Sequence, residues 1–188
     1  FMLKDKEAVI FDMDGSLVDS MWIWPEVDRI YMERYGLTPP EDFHKAIEGM
    51  SYTETAQYFV DTFPAMHRTV DQVKKDWQEM TLELYATRVF PKRGAMDFLN
   101  AMRSRGILLG IATSNDRQIA QAALDARGMT EFFSSVRTSC EVSAGKPAPD
   151  VYLKVAEDLR VDPEKCLVFE DVPNGILAGK NAGMQVCA

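Results

Sequence analysis

The stretch Ala8-Val9-Ile10-Phe11-Asp12-Met13-Asp14-Gly15 decides how this chain of 188 residues folds. Its first four residues are apolar and are bounded by charged residues, which predicts a short buried strand. The Asp-x-Asp-Gly sequence that follows breaks this strand, since Asp and Gly favour turns. The stretch therefore predicts a strand that ends in two carboxylates.

The second half of the chain predicts the sheet to which this strand belongs. From residue 92 onward helix and strand patterns alternate, with strand segments at 107–112, 166–169 and 183–188 and a weaker one at 136–138. Such alternation indicates a parallel sheet with helices on both faces. The segment between the first two strands is helical in pattern, at about 20–35, 41–48, 53–62 and 69–88. We expect an α/β protein with a Rossmann-like core, 1–18 and 90–188, and an inserted all-helical cap domain, 19–89.

Composition excludes several classes of partner. Apolar residues make up 46% and charged residues 27%, which is typical of a globular protein. No apolar run approaches the roughly 18 residues that cross a membrane. With 21 Lys and Arg against 29 Asp and Glu, nucleic acid is not an expected partner. The three cysteines lack metal spacing and are expected to be core thiols in the cytoplasm. The sequence sets no oligomeric state, and a monomer is the simplest expectation.

Polar residues collect where the predicted strands end. They are Asp12 and Asp14 after the first strand, Thr113 and Ser114 after the second, Lys146 after the third, and Glu170 and Asp171 after the fourth. Each alone is explained as a turn former, a helix cap or a solvated lysine. Together they fit a ligand site, because an open parallel sheet binds ligands at the carboxyl ends of its strands.

The predicted site has an excess of carboxylates. Four of them in one crevice would repel each other, so they must take up protons or bind a cation. A hard divalent ion such as Mg²⁺ fits this set, and Lys146 and Thr113 add donors for a phosphoryl group. Asp12 and Asp14, two residues apart, point the same way. They can therefore act on one reacting centre, one as nucleophile and one as proton donor.

Four segments, in family order, resemble the motifs of the haloacid dehalogenase superfamily. They are Asp12-Met13-Asp14-Gly15-Ser16-Leu17-Val18-Asp19-Ser20, with Ser16 where Thr is usual, then Thr113-Ser114-Asn115, Gly145-Lys146-Pro147-Ala148-Pro149-Asp150, and Phe169-Glu170-Asp171-Val172-Pro173-Asn174-Gly175. The resemblance covers the whole chain. An Asp nucleophile marks the phosphotransferase branch. The subgroup that this chain most resembles is that of the phosphatases similar to β-phosphoglucomutase and phosphoglycolate phosphatase.

The resemblance implies a role for each motif residue. Asp12 would attack phosphorus to form an aspartyl phosphate, and Asp14 would protonate the leaving oxygen and then activate water. Mg²⁺ would bind the Asp12 carboxylate, the Asp14 backbone carbonyl and Asp171, with Glu170 as a further ligand or behind one. Thr113 and the backbone N–H groups of Ser114 and Asn115 would bind phosphoryl oxygens, and Lys146 would screen their charge. The implied enzyme is a phosphatase of a small phosphorylated metabolite, such as a sugar phosphate.

The cap residues leave alternatives open. Trp24 and Tyr52 are candidates for substrate binding, since aromatic faces stack on sugars, while packing inside the cap is the ordinary alternative. The related mutases carry a His and an Arg where, counted from Asp12 and Gly49, this chain has Trp24 and Tyr52. A phosphatase is therefore favoured over a β-phosphoglucomutase-like phosphohexomutase. A signalling receiver is a weaker third interpretation, because receivers carry the acidic pair on their first strand and the acceptor Asp on their third.

Overall fold

The computed structural model of the protein describes residues 2–47, 50 and 52–188. The chain divides into two compact units, one formed by Phe1–Met21 with Tyr85–Ala188 and the other by Trp22–Leu84. We call them the sheet unit and the helical unit. Whether the functional cap follows the sequence-based boundaries at 19 and 89 stays a prediction. No helix in the described ranges is long and apolar enough to span a membrane.

The sheet unit is built around its first strand. The strands of the described chain are β1 (Ala8–Phe11), β2 (Val18–Asp19), β3 (Phe90–Pro91), β4 (Leu108–Thr113), β5 (Ser135–Thr138), β6 (Cys166–Phe169) and β7 (Gln185–Cys187). Five of them form a parallel sheet in the order β5-β4-β1-β6-β7. Ala8 pairs with Leu108 on one side and with Cys166 on the other, and all four residues of β1 are buried. The predicted parallel sheet is confirmed.

Helices cover this sheet and build the helical unit. They are α1 (Ile23–Tyr35), α2 (Phe43–Ile47), α3 (Tyr52–Thr62), α4 (Val70–Thr87), α5 (Ala95–Ser104), α6 (Arg117–Ala126), α7 (Asp150–Leu159) and α8 (Pro173–Asn181). Helix α7 packs tightly on β4. Its Val155 side chain lies so close to Gly110 that a Cβ added at this glycine would overlap it. Close packing of this kind fixes where each strand ends.

One short element was not predicted. Val18 pairs with Pro91 and Asp19 with Phe90, so β2 and β3 form an antiparallel pair. Because Val18 and Asp19 are extended, α1 begins at Ile23 and not at the predicted position near Ser20. The predicted helix over 41–48 is α2, although Glu48, like Gly49 and Ser51 of the predicted cap loop, lies outside the described residues.

The described part of the helical unit has an aromatic core beside a buried carboxylate. The ring centroids of Trp77 lie 6.0 Å from Tyr31 and 5.1 Å from Phe59, both in edge-to-face geometry. Beside them the Asp76 carboxylate accepts hydrogen bonds from the Tyr31 hydroxyl at 2.9 Å and from Arg68 Nε at 3.0 Å. Burial alone would raise the pKa of Asp76, but these partners hold it below its usual range.

We expect Asp76→Asn to lower the free energy of unfolding of the helical unit by about 1–3 kcal/mol, because Arg68 loses its counter-charge. Since the pKa of Asp76 is depressed in the folded state, its contribution is complete above the unfolded pKa and disappears as pH falls through the folded value. Urea denaturation followed by tryptophan fluorescence reports on this unit, since all three tryptophans lie in it.

The control is Asp71→Asn, on the exposed side of the same helix. The difference in the free energy of unfolding between the parent and Asp76→Asn should become smaller as the pH is lowered. Equal losses for both variants, or a difference independent of pH, would contradict this account of Asp76.

Candidate active site

The carboxyl ends of neighbouring strands bring four of the predicted residues together. Asp12 directly follows β1, while Glu170 and Asp171 follow β6, which pairs with β1. Lys146, from the loop between β5 and α7, lies between two of these carboxylates. Its Nζ is 2.7 Å from Asp12 Oδ1 and 2.5 Å from Glu170 Oε1. The Lys146 side chain is only 5% exposed, so a buried ammonium bridges two buried carboxylates.

The ionisation of Asp12 depends on these neighbours. Burial raises the pKa of Asp12 to about 7. The charge of Lys146 acts in the opposite direction and lowers this pKa, while the charges of Glu170 and Asp14 raise it further. A carboxylate that attacks phosphorus must be ionised. A second cation close to Asp12 would therefore favour its reactive form.

Three carboxylates are close enough to share such a cation. Asp12, Glu170 and Asp171 each offer one oxygen, and these oxygens lie within 4.8 Å of one another. An all-oxygen set suits a hard divalent ion such as Mg²⁺. Glu170 is already held, since the Tyr152 hydroxyl donates to its Oε1 at 2.6 Å. Asp171 is exposed and accepts a hydrogen bond from Ser16 Oγ at 3.1 Å.

The carboxylate of Asp14 is not one of the three and has a different environment. Its Oδ1 accepts hydrogen bonds from Ser20 Oγ at 2.6 Å and from the Tyr85 hydroxyl at 2.5 Å. Its Oδ2 accepts one from Asn115 Nδ2 at 3.1 Å. The two aspartates of the first motif are thus distinguished by their partners, since Asp12 faces an ammonium group and Asp14 faces neutral donors.

The second predicted motif forms a turn at the end of β4. Thr113 is fully buried, and its Oγ1 accepts the backbone N–H of Asn115 at 3.0 Å. The sequence predicted that this N–H would bind a phosphoryl oxygen. In the structure it donates to the Thr113 side chain instead. Ser114 is exposed at the turn. Helix α6 begins at Arg117, and the carboxylate of Asp116 caps it by accepting the Gln118 N–H at 2.8 Å.

Two glycines allow the backbone to approach the carboxylates closely. Gly15 has φ +83°, and a Cβ built on it would overlap the carboxylate of Asp171. A Cβ at Gly175, in the first turn of α8, would overlap the carboxylate of Glu170. Glycine is therefore required at these positions of the first and fourth motifs by the space that the two carboxylates occupy.

The two predicted cap residues lie together in the helical unit. The rings of Trp24 and Tyr52 meet edge to face with centroids 5.9 Å apart, and they are 48% and 40% exposed. The Tyr52 ring also meets the buried Trp77 edge to face, with centroids 5.6 Å apart, so this residue contributes to packing as well. With Trp77 and Asp28 the two cap residues line a cavity of about 260 Å³. Burial raises the pKa of Asp28 to about 6.

Several residues of the site were missed by sequence reasoning. Ser16 and Ser20 stand within the first motif, but no role was predicted for their hydroxyls. Tyr152 lies on the buried face of α7, where it reads as a core residue. Tyr85 follows the apolar stripe of α4, and its contact with Asp14 spans 71 positions. No local pattern could have found it.

The comparisons with known proteins agree with this geometry. A model of the haloacid dehalogenase-like hydrolases matches residues 6–183. The chain belongs to the haloacid dehalogenase-like hydrolases. The phosphorylated carbohydrates phosphatase of Thermotoga maritima is 33% identical over 95% of this chain and 82% of that protein. Hexitol phosphatase A of Escherichia coli is 33% identical over 97% of this chain and 82% of its own length.

The solved structures include a similar protein. A protein of Thermotoga maritima, described provisionally as a β-phosphoglucomutase, superposes with a TM-score of 0.86 at 32% identity. The match covers 96% of this chain and 83% of that protein. Since the curated relatives are named phosphatases, this family member is a phosphoric monoester hydrolase.

We expect Gly175→Ala to lower phosphatase activity by at least about tenfold, equivalent to about 1.4 kcal/mol of activation free energy. The added methyl group would displace the Glu170 carboxylate and with it the Lys146 ammonium. Activity on p-nitrophenyl phosphate measures the effect. Asn174→Ala, an exposed position of the same helix turn, is the control. Parent-like activity of Gly175→Ala would show that the position of Glu170 is unimportant.

Proposed function

We propose that this enzyme is a Mg²⁺-dependent phosphatase that hydrolyses a small phosphorylated carbohydrate through an aspartyl phosphate on Asp12. The observation that carries the proposal is the buried ammonium of Lys146 between Asp12 and Glu170, beside the exposed carboxylate of Asp171. This group combines a carboxylate nucleophile with positive charge for a phosphoryl dianion. It stands at the carboxyl edge of a parallel sheet, where such folds bind ligands.

The first step transfers the phosphoryl group to the enzyme. A carboxylate oxygen of Asp12 forms a bond to phosphorus while the bond between phosphorus and the ester oxygen breaks. Asp14, in its protonated form, gives its proton to the departing oxygen, so that an alcohol leaves rather than an alkoxide. The proton matters most for sugars, because an alkoxide is a poor leaving group.

The second step regenerates the enzyme. Asp14, now ionised, takes a proton from a water molecule as the water oxygen attacks phosphorus. The acyl phosphate bond breaks, inorganic phosphate is released and the Asp12 carboxylate is restored. Throughout, Lys146 neutralises charge on the phosphoryl oxygens, and the Thr113 hydroxyl and the Ser114 N–H are the neutral donors within the second motif.

The proposed metal ligands are oxygen atoms of the same edge of the sheet. Mg²⁺ would be held by the carboxylates of Asp12 and Asp171 and by the main-chain carbonyl of Asp14. Glu170, which Lys146 and Tyr152 already hold, would support the set or complete it. When bound, the ion would neutralise phosphoryl charge and orient the group for in-line attack.

Removing divalent ions should abolish activity, and added Mg²⁺ should restore it. Ca²⁺ should not replace Mg²⁺, because it tolerates a looser coordination geometry. The measurement is phosphate release after dialysis against a chelator, with each ion then added back. Asp171→Asn should need more Mg²⁺ for half-maximal activity, whereas Asp97→Asn on the exposed surface of α5 should not. Full activity in the presence of chelator would contradict the proposed role of the metal.

The cavity of the helical unit is proposed to bind the organic part of the substrate. Aromatic rings such as those of Trp24 and Tyr52 stack on the apolar faces of sugars, and the Asp28 carboxyl can pair with hydroxyl groups. The names of the two phosphatase relatives, for phosphorylated carbohydrates and hexitols, support this substrate class. A cytoplasmic location is proposed from the three cysteines, which form no disulfide in the structure. The expectation that all three are core thiols holds only for Cys166, since Cys140 is exposed and Cys187 is partly buried.

An assay with a sugar phosphate can separate hydrolysis from phosphoryl transfer to a second sugar hydroxyl. The likeness to the provisional β-phosphoglucomutase makes a mutase the second candidate. A mutase must protect its aspartyl phosphate from water. At the positions where the related mutases carry a His and an Arg, this chain has Trp24, which carries no titratable proton, and Tyr52, which carries no positive charge. The enzyme is incubated with β-glucose 1-phosphate and a trace of the 1,6-bisphosphate, and glucose 6-phosphate and free phosphate are both followed.

We expect phosphate release to exceed formation of glucose 6-phosphate. In Asp12→Asn the rates of phosphate release and of glucose 6-phosphate formation should both fall by at least about three powers of ten, since the amide cannot attack phosphorus. Faster accumulation of glucose 6-phosphate would favour the mutase. An Asp12→Asn variant within about tenfold of the parent would exclude Asp12 as the nucleophile.

A further inference from the structure

The hydrogen bonds around Asp14 are distributed unequally between its two oxygens. Oδ1 accepts two hydroxyl donors, Ser20 and Tyr85, while Oδ2 accepts one amide donor from Asn115. A carboxylate oxygen has two lone pairs in its plane, so the pair of hydroxyls saturates Oδ1. Oδ2 keeps one lone pair for a further partner.

Tyr85 contributes more than one bond to this arrangement. Its side chain is buried, with the residue 3% exposed, and its hydroxyl oxygen also accepts Asn115 Nδ2 at 3.0 Å. As the donor of a hydrogen bond, the Tyr85 hydroxyl contacts Asp14 Oδ1 at 2.5 Å. Asp14, Tyr85 and Asn115 therefore form a closed set of hydrogen bonds in which Tyr85 contacts both other members.

We propose that Tyr85 is a positioning residue, which acts with Ser20 to occupy Oδ1 of Asp14 and so makes Oδ2 the oxygen that donates and accepts the catalytic proton. The inference rests on the proposed function, in which Asp14 is the acid and base. Without the Tyr85 hydroxyl, Oδ1 has a vacant lone pair and the Asn115 amide loses a partner. The carboxylate can then rotate away from the direction that proton transfer requires.

The two chemical steps depend on Asp14 to different degrees, which gives a signature. Proton donation matters in the first step only when the leaving group needs a proton. A p-nitrophenolate departs without one, whereas a sugar alkoxide does not. In the second step a proton must always be taken from water. Misplacing Asp14 should therefore slow both steps with a sugar phosphate but only the second with p-nitrophenyl phosphate.

The test compares the parent enzyme with Tyr85→Phe, which keeps the ring and removes the hydroxyl. With p-nitrophenyl phosphate, rapid mixing should show a burst of about one p-nitrophenolate per enzyme, followed by a steady state slowed by about ten- to a hundredfold. With glucose 6-phosphate, the steady-state rate should fall further, without a burst of released glucose. Ser20→Ala removes the other donor to Oδ1 and should show the same pattern. Tyr58→Phe, in α3 of the helical unit, is the matched control and should behave as the parent does.

Each alternative result overturns the inference. Equal losses with both substrates and no burst would assign Tyr85 a purely structural role, and parent-like rates would assign it none. Asp14→Asn, measured in the same assays, separates this failure from failure of the proposed function. If Asp14→Asn is inactive on glucose 6-phosphate while Tyr85→Phe and Ser20→Ala match the parent, only the role of Tyr85 is refuted. If Asp14→Asn turns over glucose 6-phosphate at the parent rate, the proposed acid–base chemistry fails, and the role of Tyr85 with it.

Discussion

The contact of Lys146 with Asp12 and Glu170 is the constraint on which the rest of the site depends. Burying two carboxylates together is costly, because each loses water and repels the other. A single ammonium within hydrogen-bond distance of both makes their burial possible. Residues far apart in sequence are thereby fixed in one place, since Lys146 lies 134 positions from Asp12 and 24 from Glu170.

The packing of the sheet unit follows from this constraint. The loop that carries Lys146 must end close to β1 and β6, which are adjacent in the middle of the sheet. The helix that follows the loop supplies Tyr152, whose hydroxyl donates to the same Glu170 oxygen as Lys146 does, Oε1. Gly15 and Gly175 leave space for the carboxylates of Asp171 and Glu170. The same two residues therefore allow the backbone to pack closely and the charged groups to keep their positions. Three carboxylates against one ammonium are the reason for proposing that a cation joins this group.

The sequence predicted those parts of the molecule that local patterns encode. The apolar run Ala8–Phe11 and the later alternation of helices and strands predicted the parallel sheet. The strand ends predicted that Asp12, Glu170 and Asp171 lie in one place. The pair of β2 and β3 was missed because two-residue strands have no periodicity. Tyr85 was missed because its partner is distant in sequence and an aromatic residue on an amphipathic helix is read as core. The separate environments of Asp12 and Asp14 depend on such distant partners, so the sequence suggested two roles without distinguishing the surroundings that support them.

The division of the chain has a consequence for how such enzymes diversify. The three donors described for Asp14 are Ser20, Tyr85 and Asn115, and all belong to the sheet unit. Ser20 stands two residues before the helical unit begins, and Tyr85 is the first residue after it ends. The residues proposed for proton transfer thus belong to the sheet unit, although Tyr85 lies on α4, most of which belongs to the helical unit. Changes in the rest of the inserted segment can therefore alter the proposed sugar-binding cavity, whereas its last helix must keep a hydroxyl donor for Asp14 where Tyr85 stands.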